Sequence, residues 1–199
     1  MEKYSQTNEQ QYILDYFKGN NSGIFVDIGA YDGKTFSNTH ALALLGWSGV
    51  CVEPSPVVFP KLLELYKSNG KIQLFQKAIS SYSGEVEFWD SNGDAVSSLI
   101  QAETVKWANG GVKFTKHTVE SITVKELLKY SNTTKIDFLS IDCEGLDFEI
   151  LKQIDLKALH VKMVCIECPY EMRKPVKDYL TAKGYTAIHE NAENLISVV

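Results

Sequence analysis

The sequence predicts one doubly wound α/β domain, in which helices cover both faces of a mostly parallel β-sheet. The chain has 199 residues, of which 44% are hydrophobic, and this is enough for one domain with a sizeable core. Short apolar runs of strand length alternate with apolar residues at helical spacing along most of the chain. No repeat, low-complexity segment or linker divides it. We therefore expect a single domain over residues 1–199, with residues 1–20 as an N-terminal helical cover.

The first elements end in a turn that resembles a cofactor loop. Gln6 to Phe17 has apolar residues at helical spacing and predicts an amphipathic helix over the sheet. Ile24 to Ile28 is an apolar run typical of a strand buried on both faces. Gly29 to Gly33 is a tight glycine turn, and the spacing from Lys34 onward predicts a helix. A buried strand, a glycine turn and a helix form half of a nucleotide-cofactor site at the carboxyl edge of a parallel sheet.

The residues of this turn distinguish among three kinds of cofactor loop. A P-loop requires G-x-x-x-x-G-K-[ST], and here only three residues separate Gly29 from Gly33. A dinucleotide fingerprint requires G-x-G-x-x-G, and Tyr31 stands where the middle glycine would be. Asp27 and Asp32 would repel a pyrophosphate, whereas carboxylates accept hydrogen bonds from ribose hydroxyls and lie favourably beside a cation. The charges therefore favour S-adenosyl-L-methionine, a sulfonium nucleoside without phosphate.

The next predicted strands extend this site. Val50 to Glu53 is a second apolar strand, and its acidic end is where adenosine-binding folds place the carboxylate that holds the ribose hydroxyls. Val57 to Tyr66 predicts a helix, and Ile72 to Phe75 predicts a third strand. Gln76 to Ile79, which includes Ala78, then lies near the expected adenine edge. The alternating run Gly84 to Trp89 predicts a further strand.

The middle of the chain is expected to be less regular. Asp90 to Ser98 predicts a flexible loop of the kind that carries substrate contacts. The Gly110-Gly111 pair interrupts the chain before the alternating segment Val112 to His117. Thr123, with Glu126 three residues later, is a capping box that opens a helix through Tyr130.

A second acidic strand end follows. Phe138 to Ile141 predicts a strand that ends at Asp142, and Glu144 begins the turn into a helix from Phe148 to Ile154. In a parallel sheet this strand would lie beside the first one and bring both carboxylates to the edge where Gly29 lies. There they could align a hydroxyl, accept its proton or hold a metal ion. The alternative is structural, with Glu144 capping the next helix and Asp142 paired locally.

The C-terminal part completes the sheet. Met163 to Ile166 predicts a strand, followed by Glu167 to Tyr170, which is weakly similar to the D/N-P-P-Y loop of amino-group methyltransferases. Met172 to Lys183 predicts a helix. Two short strands, Tyr185 to His189 and Leu195 to Val199, predict a terminal antiparallel hairpin.

Composition excludes several classes of protein. The net charge of −5 argues against a nucleic-acid partner. The N-terminus has no apolar signal-peptide core and no run of 18 apolar residues occurs, so we expect a cytoplasmic protein without a membrane span. Cys165 and Cys168 form a single C-x-x-C, which we interpret as buried structural cysteines rather than a zinc or redox site. Nothing in the sequence indicates an oligomeric state.

Taken together, the motifs resemble the FkbM-type S-adenosylmethionine-dependent methyltransferases over nearly the whole chain. The paired signature of D-I-G-A-x-D-G and I-D-x-E-G is fairly specific to that family. The segments that carry the resemblance are Ser5-Gln6 with Glu9, FVDIGAYDGKTFSNT (25–39), GWSGVCVEPSP (46–56), Ser97-Ser98-Leu99 and DFLSIDCEGLDFEIL (137–151). The resemblance implies a Rossmann-like sheet of about seven strands whose last two form a hairpin. It also implies methylation of a hydroxyl oxygen on a sugar or other small molecule.

The resemblance also assigns site residues. Asp142 and Glu144 should lie at the reaction centre. Many relatives have Lys where Ser140 stands, and the loss of that cation changes the electrostatics around the carboxylates. The cofactor should be bound by Gln6, Asp27, Gly29, Asp32, Glu53 and Ala78.

The expected reaction is in-line displacement, in which an acceptor hydroxyl of a small molecule or glycan attacks the methyl group of the cofactor. Asp142 is the first candidate for the base and Glu144 the second. A divalent ion held by Asp142 with Glu144 or Glu167 stays open, because the spacing does not decide it. Two rival functions also stay open. One is a nicotinamide oxidoreductase that uses Glu53 on the ribose, and the other is a non-catalytic nucleoside- or glycan-binding module.

Overall fold

A computed structural model describes residues 2–199 and contains ten strands in that range. The strands are β1 (Ile24–Ile28), β2 (Ser48–Val52), β3 (Ile72–Phe75), β4 (Ala78–Ile79), β5 (Gly84–Asp90), β6 (Thr115–Ile122), β7 (Phe138–Ile141), β8 (Met163–Glu167), β9 (Thr186–Glu190) and β10 (Asn194–Val198). Seven of them form the main sheet in the order β3-β2-β1-β7-β8-β10-β9. The neighbours from β3 to β8 pair in parallel, whereas β10 runs antiparallel to both β8 and β9. The predicted doubly wound sheet with a C-terminal antiparallel hairpin is confirmed.

Helices pack on both faces of this sheet. They are α1 (Glu9–Tyr16), α2 (His40–Leu44), α3 (Phe59–Tyr66), α4 (Gln101–Asn109), α5 (Val124–Tyr130), α6 (Asp147–Lys152) and α7 (Arg173–Ala182), with a 3-10 turn at Tyr170–Met172. Side chains of β1 alternate between two cores, so that Phe25 packs with α1, α2 and α3 while Val26 packs with α5, α6 and α7. The alternation follows from the strand period of two.

The strand order brings the predicted acidic strand ends together. β1 lies between β2 and β7, so Glu53, Gly29 and Asp142 leave neighbouring strands at the same edge. The Asp142 backbone N–H donates to the Ile28 carbonyl at 2.9 Å, which joins the two chain segments immediately beyond the paired strands. The sequence prediction that Asp142 and Glu144 lie at the edge of Gly29 is therefore confirmed.

A second, three-stranded sheet has the order β4-β6-β5. The run Gly84 to Trp89 is a strand as predicted, and its partner β6 extends to Ile122, beyond the alternating segment that the sequence indicated. The capping box is also confirmed, since Thr123 and Glu126 exchange side-chain to backbone hydrogen bonds at the start of α5. The sequence prediction did not include α4, which lies between the predicted loop and the Gly110-Gly111 pair.

The helix predicted from Lys34 begins only at His40. Asp32 accepts hydrogen bonds from the backbone N–H groups of Lys34 and Thr35, which closes a local turn that competes with helix. Phe36 adopts a positive φ of 57°, which a right-handed helix does not allow. Residues 34–39 therefore form a loop.

Within residues 2–199, no helix combines the length and apolar character that crossing a membrane requires.

Candidate active site

A cavity of about 430 Å³ opens at the carboxyl edge of the main sheet, within the range of about 300–1,000 Å³ that small-molecule sites occupy. Its wall contains Gly29 from the glycine turn and Ala78 from β4, together with Gln6 from the N-terminal segment. Seven acidic side chains also line it: Asp27, Glu53, Asp94, Asp142, Glu144, Glu167 and Glu193. The cavity thus collects every predicted site residue except Asp32.

Asp32 instead shapes the glycine turn. Besides the two backbone N–H groups of Lys34 and Thr35, its carboxylate accepts the Thr35 hydroxyl at 2.7 Å. Asp32 is not part of the cavity wall. The cavity geometry therefore gives no support to a direct contact between Asp32 and the cofactor, which the resemblance implied.

Glu53 ties the second strand to the glycine turn. Its carboxylate accepts hydrogen bonds from the Tyr31 backbone N–H at 3.0 Å and the Ser55 backbone N–H at 2.8 Å. Burial raises the pKa of Glu53 to about 7, and the charges of Asp90 and Asp27 add to this rise while the two hydrogen bonds oppose it. Because a carboxylate has about four lone-pair positions, Glu53 retains acceptor capacity toward the cavity.

Asp27 is the buried carboxylate near the end of β1. The Thr39 hydroxyl donates to it at 2.6 Å, and Ser140, its neighbour across the β1–β7 pair, donates a second hydrogen bond. Burial raises the pKa of Asp27 to about 6, although both hydrogen bonds lower it. With serine rather than a lysine at position 140, the cross-strand partner of Asp27 is neutral.

Four carboxylates cluster after β7 and β8. Asp142 is exposed to the cavity that it lines and is otherwise surrounded by protein. Burial raises its pKa well above the ordinary value, and the charges of Asp147 and Glu144 raise it further. Burial and the charge of Asp142 raise the pKa of Glu167 to about 11, so Glu167 carries a proton and hydrogen-bonds to Asp142. Such coupled carboxyl groups share protons as a unit at neutral pH.

Glu144 belongs to this cluster but has a different surrounding. Burial raises its pKa to about 7, while Lys106 and a hydrogen bond from the Trp107 indole lower it. Its backbone takes a positive φ of 51° and its N–H donates to Glu167 at 3.2 Å. The predicted alternative, that Glu144 caps the following helix, is wrong. Asp147 accepts the N–H groups of Cys143 and Gly145 at the start of α6.

Residues 94–112, here called the covering segment, form a further part of the cavity wall and contribute seven lining residues: Asp94, Ala95, Val96, Ser97, Leu99, Trp107 and Val112. One hydrogen bond, made by Ser98, holds this segment, and two more hold the residues directly before it. The Tyr31 hydroxyl donates to the Gly93 carbonyl at 2.5 Å, the Ser98 hydroxyl donates to the Glu144 carbonyl at 2.7 Å, and Ser55 contacts Asp90. The predicted loop is thus tied to the glycine turn and to the carboxylate cluster.

Sequence reasoning did not identify Asn38, Lys106 and Trp107. Asn38 and Trp107 line the cavity, and Lys106 lies 3.8 Å from Glu144. The sequence did contain a signal for Asn38, because a Ser-Asn-Thr run directly before an apolar stretch marks a helix N-terminus rather than a helix interior. For the other two, the Gly110-Gly111 pair is a helix stop signal that could have indicated α4.

The three predicted metal-ligand candidates, Asp142, Glu144 and Glu167, all reach the cavity. In the described part of the chain, however, no three or more His, Cys, Asp or Glu side chains are arranged to hold a metal ion. All four cysteines are free thiols, including the C-x-x-C pair at Cys165 and Cys168, which is buried.

The sequence profile of the methyltransferase FkbM domain matches residues 27–187. This span contains the glycine turn, Glu53, the covering segment and the carboxylate cluster. No curated protein sequence matches the chain significantly.

The fold is similar to that of solved methyltransferases. The METTL16 MTase domain has a TM-score of 0.55 at 14% identity, with 96% of this chain covered, and the chain spans only 65% of that structure. A ribosomal protein L11 methylase from Lactobacillus delbrueckii subsp. bulgaricus has a TM-score of 0.56 at 11% identity, with 97% of this chain and 77% of that one covered. A precorrin-6y C5,15-methyltransferase from Geobacter metallireducens GS-15 has a TM-score of 0.54 at 11% identity, with 100% and 92% covered. At these identities the similarity concerns the fold alone.

Proposed function

Because the chain belongs to the methyltransferase FkbM domain family, we propose that it methylates a hydroxyl oxygen of a sugar or another small molecule with S-adenosylmethionine as donor. The proposal that the methyl acceptor is an oxygen atom rests on the Asp142–Glu167 pair at the cavity wall. An aliphatic hydroxyl is a weak nucleophile until its proton is accepted, and a carboxylate with a raised pKa is suited to accept it. The fold itself does not choose the acceptor, since similar folds are named for a ribosomal protein and for precorrin-6y.

The cavity fits such a donor in size and charge. Its volume of about 430 Å³ and its acidic wall suit a cationic nucleoside. In this proposal Glu53 accepts hydrogen bonds from the ribose hydroxyls. Asp27 provides a negative charge for the cationic sulfur near the middle of the carboxyl edge of the sheet. Gly29, which has no side chain, lets the Asp142 backbone carbonyl lie against the glycine turn, so that the two walls of the site meet. When bound, S-adenosylmethionine supplies a methyl group already activated by a positively charged sulfur.

The protein's own task is then alignment and proton acceptance. The Asp142 carboxylate accepts the proton of the acceptor hydroxyl, while protonated Glu167 holds Asp142 by a hydrogen bond. Glu144, which Lys106 and Trp107 hold at the covering segment, is the second candidate for the same role. The covering segment adds apolar surface beside the carboxylates, since Val96, Leu99 and Trp107 line the cavity together with them.

Calorimetric titration tests the cofactor. We expect S-adenosylhomocysteine to bind the wild-type protein and NAD not to bind, because a pyrophosphate would meet Asp27 and Glu53 at close range. Binding of NAD alone would favour the oxidoreductase instead.

Mass spectrometry tests the reaction. The protein is incubated with S-adenosylmethionine and a pool of hydroxylated sugars and small molecules, and we expect an acceptor that gains one methyl group. The Asp142→Asn variant serves as the control that should lose this product. Binding of S-adenosylhomocysteine without methylation of any hydroxyl in the pool would favour a binding module. Repeating the reaction in EDTA tests whether a divalent ion takes part, since full activity would exclude it.

A further inference from the structure

Asn38 is a buried residue of the cavity wall whose hydrogen bonding is incomplete. Its relative exposure is 8%, and it lines the cavity. Among residues 2–199, the Oδ1 atom of Asn38 accepts no hydrogen bond. Oδ1 of Asp137 also lacks a hydrogen-bond partner by geometry, but it lies 2.9 Å and 3.1 Å from the ammonium groups of Lys162 and Lys135. A buried amide carbonyl without a partner is unfavourable, so a partner from outside the protein is the physical expectation.

The residues on both sides hold Asn38 in place. The Thr39 hydroxyl donates to Asp27 at 2.6 Å, and the Ser37 hydroxyl accepts the His40 backbone N–H at 3.0 Å. The loop that carries Asn38 is therefore fastened to β1 on one side and to the start of α2 on the other. Glu53, by contrast, follows the neighbouring strand β2.

The N-terminal segment reaches the same part of the wall. Ser5 pairs with Phe36 in an isolated parallel bridge, and the next residue, Gln6, lines the cavity together with Asn38. Two neutral amide side chains thus lie in the part of the cavity wall that follows β1, where Asp27 provides a carboxylate.

We propose that the Asn38 amide binds the amino-acid end of S-adenosylmethionine, with Gln6 as a second amide contact. The inference rests on the proposed function, because Glu53 there takes the ribose and the opposite end of the ligand then points toward Asp27. The α-ammonium group donates to Asn38 Oδ1, and the Asn38 NH₂ group donates to the α-carboxylate. An amide offers both a hydrogen-bond acceptor and donors, so it suits a ligand that contains both an ammonium and a carboxylate group. A protein carboxylate or ammonium at this position would attract one of these groups and repel the other.

Two ligands that differ only in this end test the proposal. S-adenosylhomocysteine contains the amino-acid group, whereas 5′-methylthioadenosine lacks it. By calorimetry we expect Asn38→Ala to bind S-adenosylhomocysteine about tenfold or more weakly than the wild type, and to bind 5′-methylthioadenosine within about twofold of it. Asn21→Ala is the matched control, since Asn21 is exposed and lies outside the cavity wall.

The Asn38→Asp variant keeps the shape of the side chain if the alanine variant does not fold. It retains an acceptor for the ammonium but repels the carboxylate, so it should also weaken S-adenosylhomocysteine selectively. An equal loss for both ligands, or no loss for either, would overturn the role of Asn38 while leaving the proposed function intact. Failure of the wild type to bind either ligand would overturn the proposed function, and the inference with it.

Discussion

Gly29 lies directly against the backbone carbonyl of Asp142. A Cβ atom at Gly29 would be 1.7 Å from the Asp142 carbonyl oxygen and 2.7 Å from its carbonyl carbon. The same glycine takes a φ of +85°, a conformation that residues with side chains rarely adopt. The glycine turn after β1 and the carboxylate cluster after β7 are therefore in backbone contact, and the site depends on the absence of a side chain at this position.

The Gly29→Ala substitution should disrupt both segments at once. The added methyl group collides with backbone, which cannot rotate away as a flexible side chain can, so the two segments must separate. We expect a loss of more than about 2 kcal/mol in the free energy of unfolding. Urea unfolding measures this loss, and calorimetry should show that S-adenosylhomocysteine binding is lost with it.

Gly19→Ala is the matched control. Gly19 has a similar φ of +80° but no atom within 4 Å of its would-be Cβ, so only the backbone penalty of roughly 1–2 kcal/mol applies. Equal losses for the two variants would show that the contact with Asp142 has no special effect.

The sequence was sufficient to predict which residues meet at the carboxyl edge of the sheet, but not to predict the conformation of the loops that line the cavity. Glu53, Gly29 and Asp142 follow apolar runs of strand length, and in a parallel sheet the ends of such runs necessarily meet. Asp32 and Asn38 lie in a loop whose conformation depends on side-chain to backbone hydrogen bonds, and no periodicity reveals these. The sequence placed Asp32 in the cavity and Asn38 in a helix, whereas in the structure Asp32 lies outside the cavity wall and Asn38 lies in a loop that lines it.

Substitution of the two central aspartates should separate binding from turnover. Asp27→Asn removes the charge near the cationic sulfur and should weaken S-adenosylmethionine binding more than S-adenosylhomocysteine binding, because the sulfur of the latter is neutral. Asp142→Asn removes the proton acceptor and should lower turnover by about 10²–10⁴-fold with little change in S-adenosylmethionine binding. Calorimetry and single-turnover rates measure the two effects. An equal loss of binding in both variants would contradict this division of roles.

Stability should fall as the pH rises, because Glu53 is buried. Its pKa rises from the ordinary 4.5 to about 7 in the folded protein, so the folded state retains a proton that the unfolded chain releases at lower pH. The stabilising contribution is therefore fully present below about pH 4.5 and lost as the pH passes about 7, and it amounts to about 3 kcal/mol. The pKa of Asp27, raised to about 6, acts in the same direction.

The Glu53→Gln variant isolates this contribution. Glutamine does not titrate, and it cannot accept both the Tyr31 and the Ser55 N–H groups, so the variant should be less stable than the wild type at about pH 5. By urea unfolding, the difference between the two proteins should shrink between about pH 5 and about pH 8. Glu85→Gln, on the exposed part of β5, is the control. A constant difference across this range would show that Glu53 does not titrate as its burial implies.

Removal of the Lys106 charge tests which carboxylate accepts the proton. The Lys106 ammonium lies 3.8 Å from Glu144 and 3.7 Å from Glu103, and it lowers the pKa of Glu144, which burial raises to about 7. In Lys106→Met the pKa of Glu144 should rise. Because we assign proton acceptance to Asp142, the pH at which turnover reaches half its maximum should stay where it is in the wild type.

The exposed Lys125→Met variant, on α5, controls for the loss of one positive charge. If the pH profile of Lys106→Met moves to higher pH while that of Lys125→Met does not, Glu144 is the group whose ionisation limits the reaction. Proton acceptance would then pass from Asp142 to Glu144, because Lys106 lowers the pKa of Glu144 and is not among the charges that shift Asp142. Lys106 also lowers the pKa of Glu167, but at about 11 that group keeps its proton in both proteins, so the charge beside Asp142 does not change.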